Sequence, residues 1–290
     1  MTVTVTAPAK LNLTLDIRGR RPDGYHELHT IMQAVDLADT VTLTAGKTAG
    51  IRLLLSDRRL PNDERNTAYK AAAMFLDAIK MPEWGVHIAV QKRIPMQAGM
   101  AGGSADAAAV LVGMNVLTGA NMTTEELCAL GARVGADVPF CILGGTAVAT
   151  GTGTTLRPIA PLPDCTVLIA KPAVGVSTAM AYEHVDEAPV LHHPDSDAME
   201  RAIAEGQLAA VGSLLCNVFE EAMALPEVVA IRDVMRQSSA FGSAMTGSGS
   251  AVFALFGEKA DADACAERLR PLAQRITCCR PCKGGAQIIK

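Results

Sequence analysis

The chain has 290 residues, of which 49% are hydrophobic and 19% charged, and its formal net charge is −4. This length is enough for one large or two medium domains with a buried core, and the weak negative charge excludes a general basic surface for nucleic acid. Aromatic residues reach only 3%, no apolar run approaches the roughly 18 residues that cross a bilayer, and the first residues do not resemble a signal peptide, so we expect a cytoplasmic protein with no nucleic-acid or membrane partner.

The first 60 residues are rich in strand patterns. Polar and apolar residues alternate along the first predicted strand. Its later apolar residues are Leu11, Leu13, Leu15 and Ile17. Because a strand sends alternate residues to opposite faces, Lys10 and Asn12 share the face opposite this set. Lys10 is then either an exposed lysine at a sheet edge or a buried ammonium that needs a carboxylate or phosphate partner.

A turn pattern at residues 22–24 precedes Tyr25 and His26. These two side chains would either anchor a loop or bind a flat heterocycle. Further along, strand-like runs at residues 40–44 and 51–55 predict a hairpin.

The hairpin tip would be the Gly-Lys-Thr sequence at residues 46–48. A Walker phosphate loop is excluded there because Val41 stands where its first glycine should be.

Asn66 is a suitable N-cap for a helix that extends to about residue 79. Residues 86–91 predict another strand.

Residues 95–108 form a loop of small residues that runs into a helix. Gly99, Gly102 and Gly103 give the backbone freedom and leave room for a ligand. From Ser104 the apolar pattern is helical, and Gly119 ends it. Since unpaired N–H groups at a helix start attract anions, this loop is a candidate phosphate site.

A capping box at Thr123 and Glu126 opens the next helix, which reaches about residue 134. Residues 136–139 can start another helix. Asp137 alone would be explained as its N-cap, although an aspartate facing a phosphate loop could instead accept a proton from an attacking hydroxyl.

The composition changes after residue 153. Strands are predicted at residues 167–170, 251–256 and near 275–279, and helices at residues 198–238, interrupted at Pro226, and 260–270. This alternation indicates a second α+β half, and we predict domains at residues 1–155 and 156–290. The small residues 246–250 would let a second backbone segment approach a ligand.

Three of the eight cysteines form the sequence Cys278-Cys279-x-x-Cys282. A structural zinc site normally needs a second pair of ligands, and none occurs at a suitable spacing. We therefore predict reduced thiols and no metal bound by protein ligands.

The sequence of the loop at residues 95–108 resembles the nucleotide loop of the galactokinase, homoserine kinase, mevalonate kinase and phosphomevalonate kinase (GHMP) superfamily. The residues that carry this resemblance are Pro95, Gly99, Met100, Ala101, Gly102, Gly103, Ser104, Ala105, Asp106, Ala107 and Ala108. It implies an α+β, two-domain fold, with an N-terminal half like domain 2 of ribosomal protein S5 and a ferredoxin-like C-terminal half. It also implies an ATP-dependent kinase of small alcohols, with Mg²⁺ carried by the nucleotide.

Three further segments resemble the members of this superfamily whose acceptor is a cytidyl diphosphate sugar alcohol of the non-mevalonate isoprenoid pathway. They are residues 8–13, residues 21–28 and residues 135–140. The resemblance implies phosphorylation of the acceptor's 2-hydroxyl, with Lys10 and Asp137 as catalytic residues.

The same resemblance assigns the remaining site residues. ATP would bind Pro95, Met96, Gln97, Ala98, Gly99, Met100, Ala101, Gly102, Gly103, Ser104 and Ala105. The acceptor would bind Asn12, Tyr25, His26, Thr178 and Tyr182. Tyr25 and Tyr182 would flank the cytosine ring and His26 would read its edge.

The loop departs from the common family pattern at Met100, Ala101, Ala105 and Asp106. These positions bear on the phosphate and magnesium contacts. Two alternatives remain open: another kinase of the superfamily, of the homoserine or mevalonate type, or a nucleotide-binding regulator without catalysis. A monomer or weak homodimer is expected.

Overall fold

A computed structural model describes residues 1–188 and 192–289. The strands of the first half are β1 (Thr2–Arg20), β2 (His26–Ala45), β3 (Gly50–Leu55), β4 (Gly85–Gln91), β5 (Thr146–Gly151) and β6 (Thr155–Pro158). Its helices are α1 (Thr67–Ala78), α2 (Gly102–Thr118), α3 (Thr124–Val134) and α4 (Val138–Leu143).

The second half continues the alternation of strands and helices. Its strands are β7 (Thr166–Lys171), β8 (Cys216–Asn217), β9 (Gly242–Met245), β10 (Val252–Phe256), β11 (Arg275–Cys279) and β12 (Gln287–Ile288). Its helices are α5 (Thr178–Glu187), α6 (Ser196–Ala204), α7 (Leu208–Ser213), α8 (Val218–Met223), α9 (Pro226–Arg236) and α10 (Lys259–Leu269). Pro226, where the sequence predicts an interruption, is the first residue of α9.

The first sheet has the strand order β12-β1-β2-β4-β3, and β5, β6 and β8 extend it. The long antiparallel pair β1 and β2 has irregularities after Pro8 and after Asn12. Such bulges bend a strand and redirect side chains. Here they flank the segment that carries Lys10 and Asn12, and both faces of that segment are buried.

Helix α2 lies in the centre of the N-terminal half. The residues of its apolar pattern are all buried: Ala107, Val110, Leu111, Met114 and Leu117. Gly119 ends it in the left-handed conformation, with φ 68°, as predicted. The helix begins at Gly102 rather than at the predicted Ser104, because Ala101 takes a left-handed conformation, with φ 56°, and serves as the N-cap.

The other helices predicted in this half are confirmed. The side chain of Asn66 accepts a hydrogen bond from the backbone of Ala68 and caps α1. Both hydrogen bonds of the predicted capping box, between Thr123 and Glu126, are present at the start of α3. Gly135 follows α3, and α4 confirms the helix start predicted at residues 136–139.

The predicted hairpin of β2 and β3 is wrong. Strand β4 lies between them, antiparallel to β2 and parallel to β3. The chain therefore crosses from β3 to β4 through α1, as parallel strands require. The end of β2 is instead held to β4 through a hydrogen bond from the amide of Gly46 to the carbonyl of Gly85.

The second sheet has the order β11-β7-β10-β9, and all its pairs are antiparallel. With helices between β7 and β9 and between β10 and β11, this is the ferredoxin-like arrangement that the resemblance implies. Side chains of α9 and α10 pack on one face of this sheet around Phe256. The two-domain α+β fold is thus confirmed.

Several segments after residue 155 return to the first sheet. Strand β6 spans the predicted domain boundary. Strand β8 and strand β12, which the sequence does not predict, both pair with the edge of β1 that faces away from β2. The boundary between residues 155 and 156 stays a prediction. Within residues 1–188 and 192–289, no helix is long and apolar enough to span a membrane.

Candidate active site

A cavity of about 750 Å³ lies where the two halves of the chain meet. Its walls come from β1, β2, the loop before α1, the loop between β4 and α2, the start of α5 and the loop between β9 and β10. The predicted site residues that line it are Lys10, Asn12, residues 95–104, Asp137, Thr178 and Tyr182. Ala105 is buried outside this lining, and Tyr25 and His26 also lie outside it.

Lys10 and Asp137 face each other in the cavity wall. Lys10 is only 4% exposed, so it is not the exposed edge lysine that the sequence leaves open. Its Nζ lies 3.8 Å from Oδ2 of Asp137 and donates a hydrogen bond of 2.6 Å to Oδ1 of Asn12. A buried ammonium needs such partners, because burial without them is costly.

Asp137 occupies the N-cap position of α4, yet its side chain makes no capping hydrogen bond. The side chain is 33% exposed and turned to Lys10. A carboxylate that is not used by the helix, and that lies beside a fixed ammonium, is free to receive a proton from a ligand in the cavity.

Asn12 connects the two halves of the chain. Its Oδ1 accepts a hydrogen bond from the amide of Gly247 at 2.9 Å, and its Nδ2 donates to Oγ1 of Thr30 at 2.8 Å. Its own amide donates to Oγ1 of Thr246 at 3.1 Å. These bonds and the bond from Lys10 hold the Asn12 side chain in place, so its predicted contact with the acceptor remains a prediction.

The loop before α2 has a strongly curved backbone. Gln97, Gly99 and Ala101 have positive φ angles of 48°, 70° and 56°. Ala101 provides no side-chain cap for α2, so the first amides of this 17-residue helix are open to a ligand in the cavity. This geometry suits an anion such as phosphate.

Gly99 is needed for contact with the second half of the chain. A Cβ atom at Gly99 would lie 1.9 Å from the carbonyl oxygen of Thr246, and one at Gly247 would lie 2.5 Å from the carbonyl oxygen of Gly99. The two glycine-containing loops, residues 95–104 and 246–250, therefore pack backbone against backbone. The sequence places both near a ligand but does not show that they touch each other.

A buried charge cluster under the loop escapes the sequence analysis. Nζ of Lys92 donates to Asp39 at 2.5 Å and to Asp106 at 2.6 Å, and the amide of Ile94 donates to Asp39 at 2.9 Å. Burial raises the pKa of Asp106 to about 8, although Lys92 opposes this. Burial lowers the pKa of Lys92, but the attraction of the two carboxylates outweighs burial, so the pKa of Lys92 is raised overall.

The signal for this cluster is present in the sequence. Asp106 lies between alanines on the buried face of α2, where a charged residue needs a partner. The identity of that partner depends on the pairing of β2 with β4, which the sequence analysis does not predict. The cluster ties β2, the end of β4 and the first turns of α2 together.

Aromatic side chains form the end of the cavity near α5. The rings of His26 and Tyr182 are stacked, with centroids 4.5 Å apart, and Phe219 meets Tyr182 edge-on at 5.0 Å. Burial, and to a lesser degree the charge of Asp137, raises the pKa of Tyr182 to about 12. Phe219 lines the cavity and is missed by the sequence analysis.

His26 is held from behind by α5. Its Nε2 is hydrogen-bonded to Oδ1 of Asp186 at 2.7 Å. Tyr25, by contrast, is 66% exposed at the turn between β1 and β2. Thr178 lies on the cavity wall with its hydroxyl 3.3 Å from that of Ser248. The structure thus brings His26, Tyr182 and Thr178 together beside α5 on one side of the cavity, and leaves Tyr25 exposed.

The cysteine cluster lies away from the cavity on and after β11. Burial raises the pKa of the Cys278, Cys279 and Cys282 thiols, which keeps them protonated. In the part of the chain that the structure describes, no three His, Cys, Asp or Glu side chains are grouped so that they could hold a metal ion.

Comparison with known proteins assigns both halves of the chain to the GHMP kinases. The family model described as GHMP kinases N terminal domain matches residues 66–145, and the one described as GHMP kinases C terminal matches residues 199–272. A homoserine kinase from Cytophaga hutchinsonii shares the fold, with a TM-score of 0.81 over 99% of this chain and 97% of its own, at 20% identity.

More similar relatives carry one name. A 4-diphosphocytidyl-2-C-methyl-D-erythritol kinase from Caldicellulosiruptor saccharolyticus is 44% identical over 96% of each chain. One from Exiguobacterium sibiricum is 46% identical over 88% of this chain and 89% of its own. A crystal structure of 4-(cytidine 5'-diphospho)-2C-methyl-D-erythritol kinase is 36% identical, with a TM-score of 0.81 over 98% of this chain and 100% of its own. The chain therefore belongs to the GHMP kinases, and within them to the family of the 4-diphosphocytidyl-2-C-methyl-D-erythritol kinases.

Proposed function

We propose that the chain uses ATP to phosphorylate the 2-hydroxyl of 4-diphosphocytidyl-2-C-methyl-D-erythritol, in the non-mevalonate isoprenoid pathway. The observation that carries the proposal is the position of Lys10 and Asp137 in one cavity, with a phosphate-type loop and an aromatic end in the same walls. The names of relatives at 44% and 46% identity support the choice of acceptor.

The phosphates of ATP bind the loop of residues 95–104 at the start of α2. The open amides of this helix start and its positive dipole end favour the negative charge. Gly102 and Gly103 add no side chain that would obstruct the ligand. Met100 and Ala101 differ from the common family pattern but leave this site intact. Met100 is buried, and Ala101 adopts the left-handed conformation although it carries a Cβ atom.

Magnesium carried by the nucleotide would reduce the repulsion between the phosphates and the incoming hydroxyl. The Ser104 hydroxyl fits it by its chemistry, since Mg²⁺ prefers oxygen ligands. Ser104 lines the cavity at the start of α2, beside the phosphate-type loop. The Asp137 carboxylate stays available for the proton of the acceptor hydroxyl.

In the chemical step, the oxygen of the 2-hydroxyl forms a bond to the γ-phosphorus of ATP. The bond from that phosphorus to the bridging oxygen of the β-phosphate breaks, and ADP leaves with the electron pair. Asp137 accepts the proton of the hydroxyl. Lys10 holds Asp137 in place and offsets the negative charge that moves during transfer.

The cytidine end of the acceptor binds at the aromatic end of the cavity. Tyr182 provides a flat face and His26 a hydrogen-bonding edge, and Tyr25 would complete the contact from the turn between β1 and β2. Thr178 and Asn12 contact the polar part of the acceptor. The stacking of His26 on Tyr182 and the position of Thr178 in the wall support these roles.

We also propose that the protein acts in the cytoplasm as a monomer or weak homodimer, without a nucleic-acid or membrane partner. The net charge of −4 supports the absence of a general nucleic-acid surface. Sedimentation of the purified protein over a range of concentrations would measure its oligomeric state.

An ADP-release assay with four acceptors tests the proposed activity. These are 4-diphosphocytidyl-2-C-methyl-D-erythritol, homoserine, mevalonate and galactose. We expect acceptor-dependent ADP release with the first alone. Turnover of another acceptor would support a different kinase of the superfamily, and ATP binding without any acceptor-dependent release would support a nucleotide-binding regulator.

A further inference from the structure

Lys171, the last residue of β7, is a buried lysine that none of the roles described above uses. The side chains of Lys10 and Lys92, which are also largely buried, each pair with a carboxylate. Within residues 1–188 and 192–289 no carboxylate pairs with Lys171, and burial lowers its pKa. Because a buried ammonium is costly without partners, other groups must stabilise this one.

Backbone carbonyl groups take the place of a carboxylate. Nζ of Lys171 donates to the carbonyl of Pro172 at 2.8 Å and to that of Val174 at 2.6 Å. Both carbonyls belong to residues 172–177, which connect β7 to α5 and are called the β7–α5 loop below. The hydroxyl of Ser250 donates to the same carbonyl of Val174. Since hydrogen bonds from a charged donor are the stronger kind, Lys171 fixes the orientation of two peptide units in this loop.

The β7–α5 loop ends in the wall of the cavity. Val176, Ser177 and Thr178 are among the lining residues. The hydroxyl of Ser177 accepts a hydrogen bond from the amide of Met180 at 3.2 Å and so caps α5. The same helix carries Tyr182 one turn further on. The position of the loop therefore determines where α5 begins beside the cavity.

The phosphate-type loop touches the β7–α5 loop but has attachments of its own. A Cβ atom at Gly175 would lie 2.2 Å from Oε1 of Gln97, so the two loops are in contact there. The carbonyl of Met100, however, accepts a hydrogen bond from the amide of Lys10 at 3.2 Å, and Gly99 packs on residues 246–250. A change at Lys171 should thus alter the wall near α5 more than the phosphate-type loop.

We propose that Lys171 is a positioning residue for the acceptor, whose ammonium holds the β7–α5 loop so that Ser177 and Thr178 stand in the cavity wall. This inference rests on the proposed function, which places the polar part of the acceptor against Thr178. Lys171 lies outside the cavity lining. It therefore acts through the loop and not by touching the acceptor.

The test removes the ammonium at nearly constant side-chain length, in the variant Lys171→Met. Ser250→Ala removes the second donor to the carbonyl of Val174. The matched control is Lys47→Met, at an exposed position outside the cavity lining. Calorimetry measures the dissociation constants of 4-diphosphocytidyl-2-C-methyl-D-erythritol and of ATP, each without the other. The turnover number at saturating substrates and the midpoint of thermal unfolding are measured for every protein.

We expect Lys171→Met to raise the dissociation constant of the acceptor by about three- to tenfold. The dissociation constant of ATP and the turnover number at saturation should stay within about twofold of the wild-type values, as expected when only substrate binding is lost. Ser250→Ala should raise the acceptor constant by a smaller factor, because Lys171 still holds the carbonyl of Val174. Lys47→Met should change none of these quantities.

Two results would overturn the proposal. One is an unchanged acceptor affinity in Lys171→Met or, should that variant not fold, in Ser250→Ala. The other is an equal loss of affinity for acceptor and ATP, which would show that Lys171 supports the fold as a whole. Failure of the proposed function would appear separately, as wild-type protein that does not bind the cytidyl acceptor or binds it without turnover.

Discussion

The ammonium nitrogen of Lys10 lies 3.8 Å from Oδ2 of Asp137, although the two residues are far apart in the sequence and come from β1 and the start of α4. The pair is formed because Lys10 is buried on a strand and needs a negative partner. Asp137 can provide one since its carboxylate makes no capping bond in α4. This relationship is the centre of the proposed mechanism.

Asp137→Asn should lower kcat by about 10²- to 10⁴-fold, because an amide cannot accept the proton of the acceptor hydroxyl. The KM for ATP should stay near its wild-type value, since the phosphates bind the loop and not this side chain. Steady-state kinetics measure both constants. Asp77→Asn, at an exposed position of α1, is the control. Full activity of the Asp137 variant would remove Asp137 from the role.

His26→Ala should raise the KM for the cytidyl acceptor about three- to tenfold, because it removes both the stacking partner of Tyr182 and a hydrogen-bonding edge. The KM for ATP should not change. His87→Ala, on an exposed position of β4, provides the matched control. A wild-type acceptor KM in the His26 variant would show that His26 does not take part in acceptor binding.

Gly99→Ala should destabilise the protein by about 1–3 kcal/mol, because the added Cβ would lie 1.9 Å from the carbonyl oxygen of Thr246 and would force the two loops apart. Gly119→Ala is the control, since its φ is also positive but no atom lies within 4 Å of the added Cβ. Chemical denaturation measures both free energies of unfolding. Equal losses in the two variants would mean that backbone strain, and not the loop contact, accounts for the effect.

Asp106→Asn should make stability less sensitive to pH. Burial raises the pKa of Asp106 to about 8 in the folded protein, whereas an unfolded aspartate titrates near 3.9. Between these values the folded protein keeps a proton that the unfolded chain has released, so this group lowers stability as pH rises through the window. Because asparagine does not titrate, the variant does not lose stability in this way.

The gain in unfolding free energy of Asp106→Asn over the wild type should therefore grow between about pH 5 and pH 8, by at least about 1 kcal/mol. Urea denaturation at several pH values measures the difference. Parallel curves for the two proteins would contradict the raised pKa. Asp77→Asn should give such parallel curves, because Asp77 is exposed on α1.

Local signals in the sequence predict most of the helices and strands. The capping box at Thr123 and the terminal Gly119 define helix ends through bonds within a few residues. The pairing of β3 with β4 is different, because an insertion between two strands depends on contacts distant in the chain. For the same reason, the return of β12 to the first sheet could not be predicted.

The site shows the same division between local and distant information. The phosphate-type loop and the polar face of β1 are visible as short patterns, and the family resemblance places Lys10 beside Asp137. The partners of Asp106 are not visible, since Lys92 and Asp39 come from two other strands or their ends. Ala105 belongs to the predicted loop but is buried outside the cavity lining, because α2 begins earlier than expected.

The central claim is tested most directly by the ³¹P NMR spectrum of the product formed from ATP and 4-diphosphocytidyl-2-C-methyl-D-erythritol. Carbon 2 of this acceptor carries the methyl branch and no hydrogen, so a phosphate on its hydroxyl has no proton across three bonds to split its signal. We predict one new phosphomonoester signal without such splitting, together with the signals of ADP. A phosphomonoester split by neighbouring protons, or no new phosphomonoester while the protein binds ATP, would contradict the account.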